Sequence, residues 1–412
     1  MSVAIIGAGV GGLTAALSLH AAGQADILLL EAAREIRDVG VGINLPPHAV
    51  RELSELGLGD ALAKAGVFTK ELAYYDPKGQ LIWAEPRGLD AGYKWPQYSI
   101  HRGTLQRLLV DAVRERLGAS AIRIGQRVTR VGTADAKAQI SVTDLIEDRP
   151  VSYTADVAIC ADGIRSPSRD SLYGAVTPLA SNGWVMYRGV TASGPFLSGG
   201  SMVIIGDETQ RVVVYPIADG VINWLLVRPR DAARGEAELG NWNLPVSTST
   251  IAEFVKDYRF DWLDVHRLVA SSSESYEYPM ADIDPLPRWV FGRCALLGDA
   301  AHAMYPFGSN GASQAILDAR VLAYELATAA SIDEALRGYE TQRRETASGV
   351  QLANRRQAGD VMARVSALAR SGAHGDAATE LQDVERRYKQ LAGFDVDALN
   401  TRKSWSVSNV SR

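Results

Sequence analysis

Cysteine is nearly absent, with only Cys160 and Cys294 in 412 residues. Two thiols exclude a disulfide framework and a multi-cysteine metal site, and a reducing cytoplasm is the expected setting. Both sit in apolar runs, where inert packing is expected. Histidine is scarce too, six in all. With no H-E-x-x-H pair and no cysteine pair, no metal is expected. No stretch reaches the ~18 apolar residues of a membrane-spanning helix. The opening MSVAIIGAGVGG carries no basic leader and no cleavage pattern, so it reads as a cytoplasmic start. Positive charge is not in excess either. Lys+Arg number 43 against 48 Asp+Glu, a net charge of −5, which argues against nucleic acid or an anionic membrane held by bulk charge. Neither an internal repeat nor a Ser-His-Asp or Cys-His constellation is visible.

The chain is 47% hydrophobic and 22% charged, the composition of a folded protein. Its length predicts two to three domains at ~150 residues each. Residues 3–6 form a short apolar run, the mark of a buried strand. Leu13, Ala16, Leu17 and His20 then recur at helical spacing, Gly23 stops the helix, and Ile27 to Leu30 form a second strand ending at Glu31. This is a βαβ unit. Between its first strand and helix lies Gly7-Ala8-Gly9-Val10-Gly11-Gly12, a G-x-G-x-x-G loop. In such a loop Gly7 permits the tight turn, Gly9 admits a pyrophosphate to the backbone, and Gly12 allows close helix–strand packing. Free N–H groups at the helix start would face the phosphates. Glu31 follows Gly12 by 19 residues, near the ~20 at which an acid accepts hydrogen bonds from a ribose.

Residues 104–117 read as a helix, and residues 155–160 as a buried strand ending in Ala161-Asp162-Gly163. From 184 to 228 four strand-like runs alternate with turns, which predicts an antiparallel sheet. Residues 290–297 return to a buried strand ending in Gly298-Asp299, and from 311 onward the chain reads as helical. Residues 400–412 are polar and expected to form a loose tail. Only one dinucleotide loop is present, so any nicotinamide cofactor must bind transiently, without a Rossmann domain of its own.

The ordered set of the N-terminal glycine loop, Asp162-Gly163, and Gly298-Asp299 followed by Pro306, Gly308 and Gly311 resembles the single-component FAD-dependent aromatic hydroxylases, the p-hydroxybenzoate hydroxylase family. The resemblance spans roughly residues 1–360. The stretches VGVGINLPPHAV (39–50), AEPRG (84–88), QYSIHRGTLQ (97–106), MYRGV (186–190), YPMADIDPLPRW (278–289) and LLGDAAHAMYPFGSNGASQAILDA (296–319) resemble its phenazine-carboxylate branch in particular.

That resemblance implies an α/β fold in which a discontinuous Rossmann-type FAD-binding domain (1–70, 98–177 and 276–330) carries a β-rich substrate domain (71–97 and 178–275). Residues 331–412 then supply C-terminal helices and the polar tail. It implies a cofactor site of Gly7, Gly9, Gly11, Gly12, Glu31, Ala32, Asn44, Arg102, Val128, Asp162, Asp299, Pro306, Gly308, Asn310, Gly311 and Ala312. Asp299 would accept from a ribityl hydroxyl, because a carboxylate is only an acceptor. Arg102 would meet the phosphates and ribityl chain, and Asp162 would touch both FAD and the passing nicotinamide. Where many members have G-x-N, this chain has Gly311-Ala312-Ser313.

The implied reaction uses tightly bound FAD, transient NADH or NADPH, and O₂ to hydroxylate a small planar aromatic or N-heteroaromatic substrate through a flavin C4a-hydroperoxide. Such chemistry needs a dry site. Tyr187, Arg188, Val203, Arg211, Tyr215, Trp224 and Met304 are the candidate substrate residues, with Trp184, Ile205 and Tyr305 beside them. Arg188 and Arg211 could each meet a substrate carboxylate. His302 is expected to be structural. No side chain is assigned as a catalyst, because the cofactor carries the chemistry. The alternatives are a flavin-dependent epoxidase, halogenase or reductase on the same scaffold, or a non-catalytic flavin-binding protein. The Trp-x-Trp-x-Ile motif of the family's halogenases is missing. Either a monomer or a homodimer is compatible with the sequence.

Overall fold

Three buried apolar strands lie side by side at the centre of the molecule, Val3–Ile6, Val157–Cys160 and Cys294–Leu296. They run parallel, with Ile6 opposite Cys160 and Cys160 opposite Leu296. Their near-continuous hydrophobic sequences are those of strands covered on both faces. Ile27–Leu30 and Ile122–Arg123 extend the sheet on one side in parallel, and Val290–Phe291 closes the other side as an antiparallel edge. The computed structural model describes residues 1–37, 40–231, 239, 244–356 and 361–407.

An eight-stranded sheet stands apart from this core. Its order is Leu244–Pro245, Ser275–Asp282, Ala180–Ala192, Val221–Pro229, Arg211–Ala218, Ser201–Gly206, Glu71–Tyr75 and Leu81–Pro86. The predicted antiparallel sheet is present, joined by the strand pair 71–86. One contact departs from the pattern, since Ser201–Gly206 pairs with Glu71–Tyr75 in parallel. One face of the sheet is packed under Ile251, Val255, Val265, Leu268 and Val269, from helices Thr248–Phe254 and Val265–Ala270 and from Val255, which follows the first of them.

Helices complete the fold. Val10–Ala21 and Gly311–Thr328 pack on the parallel sheet, and Ile332–Arg356 packs outside the latter. A buried polar network joins these last two. Arg343 donates from Nε to Asp318 Oδ1 at 2.8 Å and from a terminal nitrogen to Gln314 Oε1 at 2.6 Å. His302 Nε2 lies 2.6 Å from the other oxygen of Asp318, which makes it a packing element, and Trp289 sits on its ring. Burial works against the charge of Asp318, but His302 and Arg343 outweigh it and hold the carboxyl below its ordinary range.

The tail prediction is corrected as far as residue 407. Val396–Thr401 is a helix, and the polar residues beyond it find charged partners. Arg402 pairs with Glu52, Ser404 donates to Glu55 at 2.6 Å, and Arg320 donates to Ser406 at 3.0 Å. Polar composition signalled disorder, yet these groups satisfy charges on helix Pro47–Glu55. Residues 408–412 lie outside the described residues. Among the described residues no helix is long and apolar enough to cross a membrane, and no cluster of three His, Cys, Asp or Glu is placed to hold a metal.

Replacing Asp318 with Ala leaves the Arg343 guanidinium buried without its carboxylate. Breaking such a pair from one side costs about 3–5 kcal/mol. Chemical denaturation should show a loss of that size, and a loss below about 1 kcal/mol would mean that the network does not hold the helices together.

Candidate functional site

The three glycine-bearing turns leave the parallel sheet at one edge. Gly7 follows Val3–Ile6, Ala161-Asp162-Gly163 follows Val157–Cys160, and Leu297-Gly298-Asp299 follows Cys294–Leu296. Ligands of α/β sheets bind at this carboxyl edge. Each glycine has its own reason. Gly7 has φ +99°, and a Cβ there would come within 2.5 Å of the Ala161 carbonyl oxygen. At Gly12 a Cβ would come within 2.0 Å of the Gly7 oxygen. At Gly9, by contrast, it would meet nothing within 4 Å. Gly7 and Gly12 therefore serve the packing of the turn, while Gly9 opens onto free space at the start of helix Val10–Ala21. Glu31 accepts from the backbone N–H groups of Ala8 and Ala33, both at 2.8 Å, and so lies beside the loop.

A cleft of about 470 Å³ lies between this edge and the eight-stranded sheet. Gly9, Gly11, Asn44, Arg102, Asp299, Pro306, Gly308, Asn310, Gly311 and Ala312 all line it. So do Arg188, Arg211, Tyr215, Met304 and Tyr305. The Asp299 carboxylate accepts no hydrogen bond among the described residues and faces Gly311. Asn44 accepts from Ser99 at 2.5 Å, and the loop from Pro306 to Ala312 continues into helix Gly311–Thr328. Ser313, the departure from G-x-N, is buried with its hydroxyl unpartnered.

Other predicted residues lie elsewhere. Gly7, Gly12, Glu31, Ala32 and Val128 are outside the lining of the cleft, and Val128 is core beneath the three-stranded sheet of residues 126–155. Asp162 turns its carboxylate away, accepting from Ser166 Oγ at 2.5 Å and Ser168 N at 3.0 Å, while its neighbours Ala161 and Gly163 line the cleft. Burial raises the Asp162 carboxyl above its usual range, with the serine hydrogen bonds opposing.

Tyr187, Val203 and Trp224 are corrected as substrate residues, together with Ile205. All belong to the core on the sheet's opposite face. Successive side chains of a strand alternate between faces, so their neighbours Met186, Arg188, Met202, Ile204, Leu225 and Val227 reach the cleft instead. Trp224 donates from Nε1 to Thr191 Oγ1 at 3.1 Å in that core. The sequence reading also missed Leu72, Tyr74, Arg87 and Gln97, and the C-terminal residues Met362, Leu381, Val384, Glu385, Tyr388 and Phe394. Only the 3–4 spacing of helix His374–Leu391 signalled a packed face, and nothing local said what it would pack against.

The cleft is cationic. Arg188 donates to the Gly42 carbonyl at 3.0 Å and lies 5.3 Å from the Tyr278 ring, but it has no carboxylate partner among the described residues. Desolvation lowers its pKa, with partial relief from Tyr215 and Tyr278. Arg211 sits between the rings of Trp184 and Phe307 and is pushed down to about 10, mainly by burial. Below the loop, His48 stacks on Phe394 at 4.5 Å and meets Asn310 at 3.0 Å. Burial drops its pKa to about 3, so the imidazole stays neutral.

Open space at Gly9, an acceptor at Asp299 and a helix start at Gly311 fit a nucleotide-linked flavin, with donors and acceptors where its phosphates and polyol need them. The family model described as FAD binding domain matches residues 1–353, and the chain belongs to that family. It is an FAD-dependent monooxygenase of the aromatic-hydroxylase type. Phenazine 1,6-dicarboxylic acid hydroxylase of Lysobacter antibioticus is 44% identical over 369 residues, covering 86% of this chain and 89% of that protein. 3-hydroxybenzoate 6-hydroxylase 1 of Aquipseudomonas alcaligenes is 30% identical over 360 residues, covering 86% and 88%. Among solved structures, Klebsiella pneumoniae HpxO complexed with FAD and uric acid superposes with a TM-score of 0.77 at 26% identity, covering 95% of this chain and 96% of that one.

Two glycine variants separate cofactor space from packing. Gly9→Ala should fold with unchanged apo stability but bind FAD about tenfold or more weakly, read by flavin titration. Gly12→Ala should instead lose about 1–3 kcal/mol of apo stability through overpacking. Equal effects of the two on apo stability would refute the division of roles.

Proposed function

We propose that this flavoprotein uses NADH or NADPH and O₂ to hydroxylate a planar aromatic or N-heteroaromatic acid, with phenazine carboxylates as the leading substrate class, in the cytoplasm. The observation that carries this reading is Arg188, a cation on the cleft face of the sheet that has no carboxylate partner among the described residues. An unpaired charge removed from water calls for a counter-ion, and an aromatic acid brings one. The 44% identity to a phenazine dicarboxylate hydroxylase supports the same class.

Bound FAD supplies hydride acceptance and oxygen activation, which no side chain can. Gly9, Gly11, Arg102 and Asp299 would hold its phosphates and ribityl chain. The loop from Pro306 to Ala312 would lie against the ring, where N–H groups at the start of helix Gly311–Thr328 favour negative charge. Arg188 would orient the substrate carboxylate, with Arg211 lining the same chamber. Met186, Met202, Ile204, Val213, Leu225 and Val227 give the chamber an apolar wall that keeps water out. Glu31 would take the ribose with the lone pairs that the Ala8 and Ala33 amides leave open.

The purified protein should be yellow. Its NAD(P)H oxidation and O₂ uptake should rise with phenazine-1-carboxylate or phenazine-1,6-dicarboxylate, and mass spectrometry should find a hydroxylated product. No stimulation by these acids, or by 3-hydroxybenzoate or urate, would remove the substrate reading. Arg188→Met should raise KM for the carboxylate substrate roughly 10–100-fold, the loss of one charge-assisted hydrogen bond, with FAD content unchanged. An unaltered KM would show that another group meets the acid.

A further inference from the structure

One wall of the cleft comes from beyond residue 353, where the family match ends. Helix His374–Leu391 turns Leu381, Val384, Glu385 and Tyr388 toward the cleft, the i, i+3, i+4, i+7 spacing of a single helical face. Facing it is strand Leu81–Pro86, which leads into Arg87. Arg87 meets Glu385 and Glu85, each at 2.9 Å, and Lys389 meets Glu85 at 2.8 Å. Two cations and two carboxylates balance. Unlike Arg188, this cluster has no need of a substrate carboxylate, and a carboxylate arriving here would compete with Glu385.

One group in the cluster is nonetheless unsatisfied. Arg87 is 9% exposed and lines the cleft, and its Nε–H has no acceptor among the described residues. The surrounding wall is apolar, with Leu72, Met202, Ile204, Met362 and Leu381. A buried donor without a partner is costly. A molecule that brings an acceptor to it is therefore favoured over an isostere that cannot.

We propose that Arg87 is a specificity-determining residue whose Nε–H donates to a neutral acceptor, a ring nitrogen, on the edge of the planar substrate. Glu385 and Glu85 are positioning residues that hold the guanidinium from its other side. The selection is for N-heteroaromatic over carbocyclic acids, and it rests on the aromatic-acid reading given above.

The test compares phenazine-1-carboxylate with anthracene-1-carboxylate, which has the same outline without ring nitrogens. Both are titrated into oxidised, FAD-loaded enzyme, and binding is followed by flavin absorbance. The wild type should bind the phenazine about tenfold or more tightly. In R87K, which keeps a cation beside Glu385 but has no Nε–H, the ratio should fall below about threefold. The paired variant R87M/E385L, which leaves Glu85 and Lys389 to each other, should show the same fall. Flavin content and anthracene affinity should be unchanged in both variants, which a merely structural role for Arg87 would not allow. A tenfold ratio persisting in R87K, or a wild type that binds both acids equally, overturns the proposal while leaving the aromatic-acid reading intact. A wild type that binds neither acid, and shows no stimulated NAD(P)H oxidation, overturns that reading and this proposal with it.

Discussion

The alignment of three parallel strand ends is the constraint on which everything else rests. Ile6, Cys160 and Leu296 are in register, so the turns that follow them emerge side by side. These turns are far apart in sequence, and only the sheet brings them together. Gly7 and Gly12 make the first turn narrow enough to fit against Ala161. The buried Asp318–Arg343–Gln314 network then ties helix Gly311–Thr328 to Ile332–Arg356. That fixes the loop before it, which faces the same opening. A shift of one strand by a single residue would turn its side chains to the other face of the sheet and misalign the turns.

The second half of the site obeys a different rule. The eight-stranded sheet has two faces, and each is buried against something different. One packs under two short helices, as a conventional core. The other forms the cleft wall, where methionine, isoleucine, valine and leucine leave Arg188 and Arg211 as the main charges. The C-terminal helices close this chamber, and they also brace the cofactor side. Tyr388 abuts Gly308, and Phe394 stacks on His48 behind Asn310. One helix therefore touches both the cleft wall and the loop from Pro306 to Ala312. A chemistry that needs substrate, ring and oxygen held together away from water benefits from that shared support.

Local sequence carried the elements with strong patterns. The glycine loop, the buried strands, the run of four strands from 184 to 228 and the long C-terminal helices were all legible, because period and turn chemistry are short-range properties. The family resemblance rested on the glycine loop, Asp162-Gly163 and Gly298-Asp299 with the segment after it; Gly9, Gly163, Asp299 and residues 306 to 312 line one cleft, while the Asp162 carboxylate turns away from it to Ser166 and Ser168. The choice of face failed for Tyr187, Val203 and Trp224. Large aromatic and β-branched residues suit a closed core as well as a ligand site, and the sequence does not say which face of a two-faced sheet is open. The tail was misjudged because polar residues read as solvated unless their partners, here Glu52 and Glu55, are known to lie nearby.

The amino-acid sequence alone determined the nucleotide-binding turn, the buried strands that frame the site and, through an ordered set of motifs that resembles a known family, the class of cofactor. Each depends on residues within a few positions of one another or on motifs with fixed internal spacing. Tertiary structure alone decided which alternate residues face the cleft, where Asp162 points, and that Arg87 and Glu385, 298 residues apart, form one wall. Those outcomes depend on which surfaces come into contact when the chain closes on itself, and burial, not local pattern, selects them.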